Sequence, residues 1–282
     1  MQCSHEDQIT LKLELDYKLR DAVNSTDKIR IHCINEFMYF AGEQLIGYMG
    51  ICDFGGTSAP PEITGMVHPK YRRQGIFLKL FELAIAECRQ RNAGSILVLC
   101  DKKSVPGQKF LERFGGAYKF SEFEMYLQNE SFKMDEKWLR GINFRKATNA
   151  DAFEIARQNT IYFGDHPEKE DENAPHKGIL LPEDEERRGM TIYLAEKEDQ
   201  IIGKVHLQLI NGLGGIYGLG VLPENRGKGF GRAILLKAIE KLKDAKATKI
   251  MLQVAAENAT ALNLYKSCGF QETSVMDYFE LE

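Results

Sequence analysis

The chain has 282 residues, a length that suits two domains, each large enough for its own core. With 43% hydrophobic residues and only 8 prolines it reads as globular, and a formal net charge of −4 offers no general field to draw nucleic acid or anionic lipid. Six scattered cysteines (Cys3, Cys33, Cys52, Cys88, Cys100, Cys268) contain no C-x-x-C pair, so neither a disulfide framework nor a metal site is expected.

The opening stretch from Met1 to Thr10 is polar and has no charged-then-apolar leader. No apolar run approaches the roughly 20 residues that a membrane span needs. A cytoplasmic protein without a membrane partner is the expectation. Ile9 to Lys28 is short and hard to read, but from Glu36 onward the chain contains a repeat. Val67-His68-Pro69 recurs as Val221-Leu222-Pro223, Arg72 as Arg226, Gly75 as Gly229, Gly115 as Gly269 and Leu127 as Leu281. Every pair is separated by the same interval (221 − 67 = 154). A fixed interval held over about 60 residues implies a duplicated domain, and it is far too long for a solenoid repeat.

The polar stretch Gln128–Gly141 reads as a linker, with residues 1–130 and 142–282 as the domains and 131–141 between them. In the second domain Ile142–Arg145 is a short predicted strand, and Thr148 or Asn149 caps a helix running to about Phe163. Thr191–Glu196 and Ile201–Leu209 are predicted strands joined by a tight turn at Lys197–Gln200. Ile216–Val221 is a further strand, followed by a loop, Pro223–Lys228. Ile234, Leu235, Ala238, Ile239 and Leu242 recur with a helical period. Lys249–Val254 is a strand, Ala259–Ser267 a helix stopped by Gly269, and Ser274–Leu281 a final strand. The fold class is therefore α/β (α+β), each half a mixed sheet flanked by helices.

The strand-to-helix joint Arg226-Gly227-Lys228-Gly229-Phe230-Gly231-Arg232 is the segment with the clearest chemistry. Glycines without a Cβ let consecutive N–H groups close around an anion, and the helix start adds its partial positive charge. With three cations beside it, a diphosphate is the natural guest. The spacing matches neither the kinase P-loop nor the dinucleotide fingerprint.

Arg226-x-x-Gly229-x-Gly231, followed by Asn258-x-x-Ala261-x-x-Leu264-Tyr265-x-x-x-Gly269-Phe270, resembles the GNAT N-acyltransferase superfamily. The whole chain resembles tandem-GNAT proteins, an arrangement also seen in mycothiol synthase. The resemblance implies acetyl-CoA as co-substrate, its pyrophosphate on the Arg226–Arg232 loop and its pantetheine arm along Leu219, Gly220 and Val221. It also implies that Asn258 contacts the pantetheine region and that Tyr265 donates a proton to the departing thiolate. An N–H near Val221 would face the developing oxyanion, an interaction worth about 3 kcal/mol. Gly218 and Gly220 fit such a strand, since glycine there marks a bulge or a close backbone approach.

The base is less determined. Relatives that acetylate protein N-termini often carry Glu in the strand before the Asn, where this chain has Gln253. Glu257, His206, Tyr217 and a water chain are the candidates; Glu257 also reads as a solvated carboxylate, His206 as part of a polar sheet face with Lys204 and Gln208, and Tyr217 as pocket lining. In the first copy Phe77 replaces the last glycine of the loop, Ser104 the Asn and Leu111 the Tyr. A leucine cannot protonate a thiolate, so residues 1–130 read as a degenerate copy, structural or a partial coenzyme A site, and 142–282 as the catalytic one. Asp165–Arg188 is acidic, either a rim that gathers cations or a solvated loop. The expected activity is acetyl transfer to a primary amine of a small cationic metabolite or antibiotic. A peptide N-terminus or lysine as acceptor, or a non-catalytic acyl-CoA-binding module, are the alternatives.

Overall fold

The computed structural model describes residues 29–33, 35–52, 60–128, 141–164 and 181–282. The segment Ile9–Lys28, most of the linker and the acidic residues from Asp165 to Glu172 lie outside them. The first copy comprises β1 (Ile29–Cys33), β2 (Glu36–Ala41), β3 (Gln44–Cys52), β4 (Glu62–Val67), α1 (Ile76–Gln90), β5 (Ile96–Asp101), α2 (Val105–Arg113) and β6 (Ala117–Leu127). The second begins with β7 (Asn143–Lys146), α3 (Ala152–Phe163) and α4 (Pro182–Arg187). It continues through β8 (Met190–Lys197), β9 (Gln200–Ile210), β10 (Leu213–Val221), α5 (Phe230–Asp244), β11 (Lys249–Ala255), α6 (Ala259–Ser267) and β12 (Phe270–Leu281).

Local chemistry accounts for the element boundaries. Thr148 and Asp151 form a capping box ahead of α3, and Arg145 of β7 clamps Asp151 with two 2.8 Å hydrogen bonds. Glu198 and Asp199 both take positive φ in the β8–β9 turn, the conformation a tight two-residue hairpin requires. Ala233, Ile234, Leu235, Ala238, Ile239 and Leu242 form the buried stripe of α5. A short helix, α4, stands where the sequence reads only as an acidic stretch; Pro182 opens it, and three acidic residues in its first turn favour the positive end of the helix.

Among the described residues twelve strands form one sheet, in the order β1-β2-β3-β4-β5-β12-β6-β11-β10-β9-β8-β7. The two central sheets expected from the repeat are therefore fused. The cause is an exchange of last strands. β12 of the second copy pairs with β5 of the first, β6 of the first pairs with β11 of the second, and the two lie antiparallel to each other. Packing follows the exchange. Met125 and Leu127 of β6 sit in the core formed by α5, α6 and β9 to β11, while Phe279 and Leu281 of β12 sit in the core under α1 and α2. Burying one such side chain is worth about 1.5–3 kcal/mol, so each copy completes the other's core. On the second copy, Ile155 of α3 packs with Ile192 and Leu194 of β8 in a separate small core.

Candidate active site

The parallel pairing of β10 and β11 runs from Leu213 opposite Lys249 to Ile216 opposite Leu252. Both strands then continue, to Val221 and Ala255, without pairing to each other, which opens a wedge. On the other side of β10 the register with β9 slips between Tyr217 and Gly220. Gly218, at φ +54°, and Leu219 are left without partners across β9. Gly220 shows a close approach as well, because a Cβ there would overlap the Tyr162 ring. Both readings of the strand glycines, bulge and close approach, thus occur within three residues.

A fully buried lysine lies behind the bulge. Lys204 Nζ is 3.3 Å from the Gly218 carbonyl oxygen and 3.1 Å from His206 Nε2, with the Tyr162 and Phe163 rings at 5.7 and 5.5 Å. Burial, and then the neighbouring Lys204, hold the His206 pKa well below its usual value, so the ring is neutral near pH 7. Its Nε2 is already turned to Lys204. The hydroxyl of Tyr217 reaches Met251 Sδ at 3.8 Å; burial, then Cys52 and Glu124, raise its pKa. Glu257 is exposed in the turn after β11. Gln253 lies opposite Glu124 of the exchanged strand β6, a carboxylate that no spacing within the second copy reveals.

The glycine turn is built for exposed amides. Gly227 and Gly229 have φ of +73° and +84°, and Gly229 is the N-cap of α5. The first-turn N–H groups of α5 have no carbonyls within the helix to bond. Gly231 is different: it has no positive φ, and a Cβ there would meet only ordinary contacts, 3.4 Å to Leu264 and 3.7 Å to Val221. Among the described residues no contact requires glycine at 231. The cations of the loop have protein partners: Arg226 Nε donates to the Val221 carbonyl at 3.0 Å, Lys228 Nζ to that of Glu224 at 2.8 Å, and Arg232 to Ser267 Oγ at 2.7 Å. Phe230 lies beside Lys197, whose Nζ is 5.3 Å from the ring centre.

Asn258 is the N-cap of α6, its Oδ1 accepting from the Ala261 N–H at 3.0 Å, which leaves its NH2 group for other partners. Tyr265, on the same helix, is only 8% exposed and packs edge-on to Phe270. Its hydroxyl makes no hydrogen bond among the described residues. Burial pushes its pKa up to about 12, so the phenol keeps its proton throughout the neutral range.

The first copy repeats the frame with different side chains at the matching positions. Arg72 Nε donates to the Val67 carbonyl at 3.0 Å, Gly75 caps α1 at φ +77°, and Ser104 caps α2. Yet β4 pairs with β3 in unbroken register, so it has no bulge. Leu111, 2% exposed, stands where Tyr265 stands in the second copy. Phe77, in place of Gly231, packs edge-on to Phe110 at 5.0 Å. The acidic helix α4 is committed locally: Asn149 bonds Glu183, and Lys146, Arg187 and Arg188 pair with Glu186, Asp184 and Glu185.

The model of the Acetyltransferase (GNAT) family matches residues 10–116 and 152–270. A protein of Amycolatopsis mediterranei (strain U-32) named mycothiol acetyltransferase is 29% identical over 252 residues, covering 82% of this chain and 80% of the relative. A GCN5-related N-acetyltransferase from Sphaerobacter thermophilus shares the fold with a TM-score of 0.65 at 19% identity, covering 95% of this chain and 85% of the other. A tandem GNAT protein from the clavulanic acid biosynthesis pathway does so with a TM-score of 0.62 at 13% identity, covering 100% and 97%. With one family match in each half and the exchange-fused sheet between them, the chain belongs to the GNAT acetyltransferases and carries two GNAT units in tandem.

Proposed function

We propose that the second copy transfers an acetyl group from acetyl-CoA to a primary amine of a small cationic molecule, and that the first copy is a structural partner. The observations that carry this reading are the wedge between β10 and β11 with its strand bulge at Gly218–Leu219, the bared amides at Gly227–Gly231 after β10, and a buried, protonated phenol at Tyr265 on the helix after β11.

In this reading the amides of Gly227, Lys228, Gly229, Phe230 and Gly231 hold the diphosphate, with Arg226 bracing the turn and Lys228 and Arg232 adding charge. Leu219, Gly220, Val221 and Asn258 line the pantetheine arm. The free amine attacks the thioester carbonyl, the carbon–sulfur bond breaks, and Tyr265 gives its proton to the departing thiolate, whose ordinary pKa is about 8.5. The proton from the ammonium goes to water or to Glu257 before attack, and the second proton, lost by the nitrogen as the amide forms, returns through water to the Tyr265 phenolate. His206 is the weaker base candidate, because Lys204 already occupies its Nε2.

The Tyr162 and Phe163 rings roof the bulge beside Lys204, which suits a small acceptor better than a lysine on a folded protein. The carboxylates Glu183–Glu186 of α4 pair locally, but these are exposed, weak contacts that a cationic acceptor can exchange. The test is thiol release from acetyl-CoA over a panel of small amines and peptides. Release with small amines, and its loss in Tyr265→Phe, is expected. Release only with peptides would move the acceptor to a polypeptide, and coenzyme A binding without release over the whole panel would make the chain a binding module.

A further inference from the structure

We propose that Lys204 is a positioning residue for acyl transfer: it pins the peptide between Gly218 and Leu219 so that the Leu219 N–H points into the wedge, at the thioester carbonyl oxygen. This rests on the acetyl-CoA reading above and concerns the same site.

Three observations carry it. The bulge frees this peptide from the β9 ladder, so neither Gly218 nor Leu219 has a strand partner there to set its plane. Gly218, at φ +54°, has no Cβ to restrict rotation, so the peptide needs another tether. Lys204 supplies one, with Nζ 3.3 Å from the Gly218 carbonyl oxygen. In a trans peptide the carbonyl and the following N–H point in opposite directions, and the described residues contain no cis bond. Drawing the carbonyl toward Lys204 therefore turns the Leu219 N–H away from it.

The rest of the pocket fixes the lysine itself. His206 Nε2 lies 3.1 Å from Nζ, and the Tyr162 and Phe163 rings stand over the head group. A lysine that is fully buried is costly to keep, and apolar residues of similar size often replace buried charged groups without loss of stability. Its presence is better explained by the geometry it imposes than by stability. The first copy has no bulge in β4 and so no such peptide to hold.

The test compares wild type, Lys204→Met and Lys204→Gln by coenzyme A affinity, by kcat and KM, and by the infrared stretch of the acetyl-CoA carbonyl when bound. In the wild type the bound carbonyl is expected to absorb at lower frequency than the free thioester, as a hydrogen-bonded carbonyl does. In Lys204→Met this shift disappears and kcat falls about a hundredfold, the scale of one lost oxyanion donor, while coenzyme A affinity and amine KM stay near wild type. Lys204→Gln, which keeps an N–H donor, retains part of both. A kcat of Lys204→Met within about twofold of wild type, or a carbonyl shift that persists in folded Lys204→Met, overturns the proposal. So does an unshifted carbonyl in the wild type, a result that needs no variant to fold. Failure of the wild type to bind coenzyme A at all would instead overturn the underlying reading.

Discussion

The Tyr162 ring fills the space that a side chain on Gly220 would need, so α3 and β10 meet ring against bare backbone at the edge of the bulge. Gly220→Ala is expected to destabilise the protein by about 1–3 kcal/mol through overpacking and to abolish transfer. Tyr162→Ala in the same chain relieves the overlap. The double variant is expected to melt above Gly220→Ala alone, a non-additivity that denaturant titration measures directly. Purely additive losses would mean that the ring and the glycine do not constrain each other.

Tyr265 is held protonated by burial, and its hydroxyl bonds nothing among the described residues. Tyr265→Phe is therefore expected to fold normally, bind coenzyme A normally, and lose about a hundredfold or more in kcat. Its pKa, raised to about 12 in the folded protein, lies above the ordinary tyrosine value, so the unfolded chain ionises first. Stability tied to this group is present below pH 10 and is lost as pH rises from there toward 12. The wild type is expected to lose more stability than Tyr265→Phe across that interval, read by melting temperature against pH.

At the seam between the copies Tyr278 Oη donates to Glu122 Oε2 at 2.8 Å, and Glu62 lies nearby. Burial first, then the charge of Glu122, pushes the Glu62 pKa up to about 7. Because the folded value exceeds the unfolded one, Glu62 weakens folding once ionised: stability falls as pH rises from about 4.5 to 7 and stays lower above it. Glu62→Gln is expected to be neutral at pH 4 and stabilising at pH 8 by on the order of 2 kcal/mol. A stabilisation independent of pH would point to packing rather than charge.

The strand exchange makes the halves mutually dependent. Residues 142–282 alone lack β6, which separates β11 from β12, and they lack Met125 and Leu127 of their own core. Expressed alone, that half is expected to aggregate or to pair with a second copy of itself, since it carries unpaired strand edges. Co-expression with residues 1–128 is expected to restore a folded one-to-one complex and its transfer activity. A stable, active monomer of residues 142–282, seen by sedimentation, would contradict this.

Much of this molecule can be read from its residues, and the limits are physical. Periodicity placed α5, because Ile234, Leu235, Ala238, Ile239 and Leu242 signal one buried face within a single helix, and Gly269 marked the end of α6. The glycines at 218 and 220 announced a disturbed strand because their cause is local backbone geometry. The exchange of β6 and β12 left no such mark: both are alternating strands that would fit their own copy as well, and only three-dimensional pairing decides between the two. For the same reason Glu124, opposite Gln253, and Tyr162, against Gly220, escaped notice as partners, being 129 and 58 positions apart (253 − 124, 220 − 162). Lys204 and His206 were visible as a polar sheet face, but nothing in their spacing indicates a carbonyl tether, which depends on where the bulge turns Gly218.

The most direct measurement is a crystal structure with coenzyme A bound. The diphosphate is expected on the amides of Gly227 to Gly231, the pantetheine arm in the wedge beside Leu219 to Val221, and the sulfur within hydrogen-bonding reach of Tyr265 Oη. A diphosphate seated only at the Gly75 turn of the first copy, or a sulfur remote from that hydroxyl, would contradict the account.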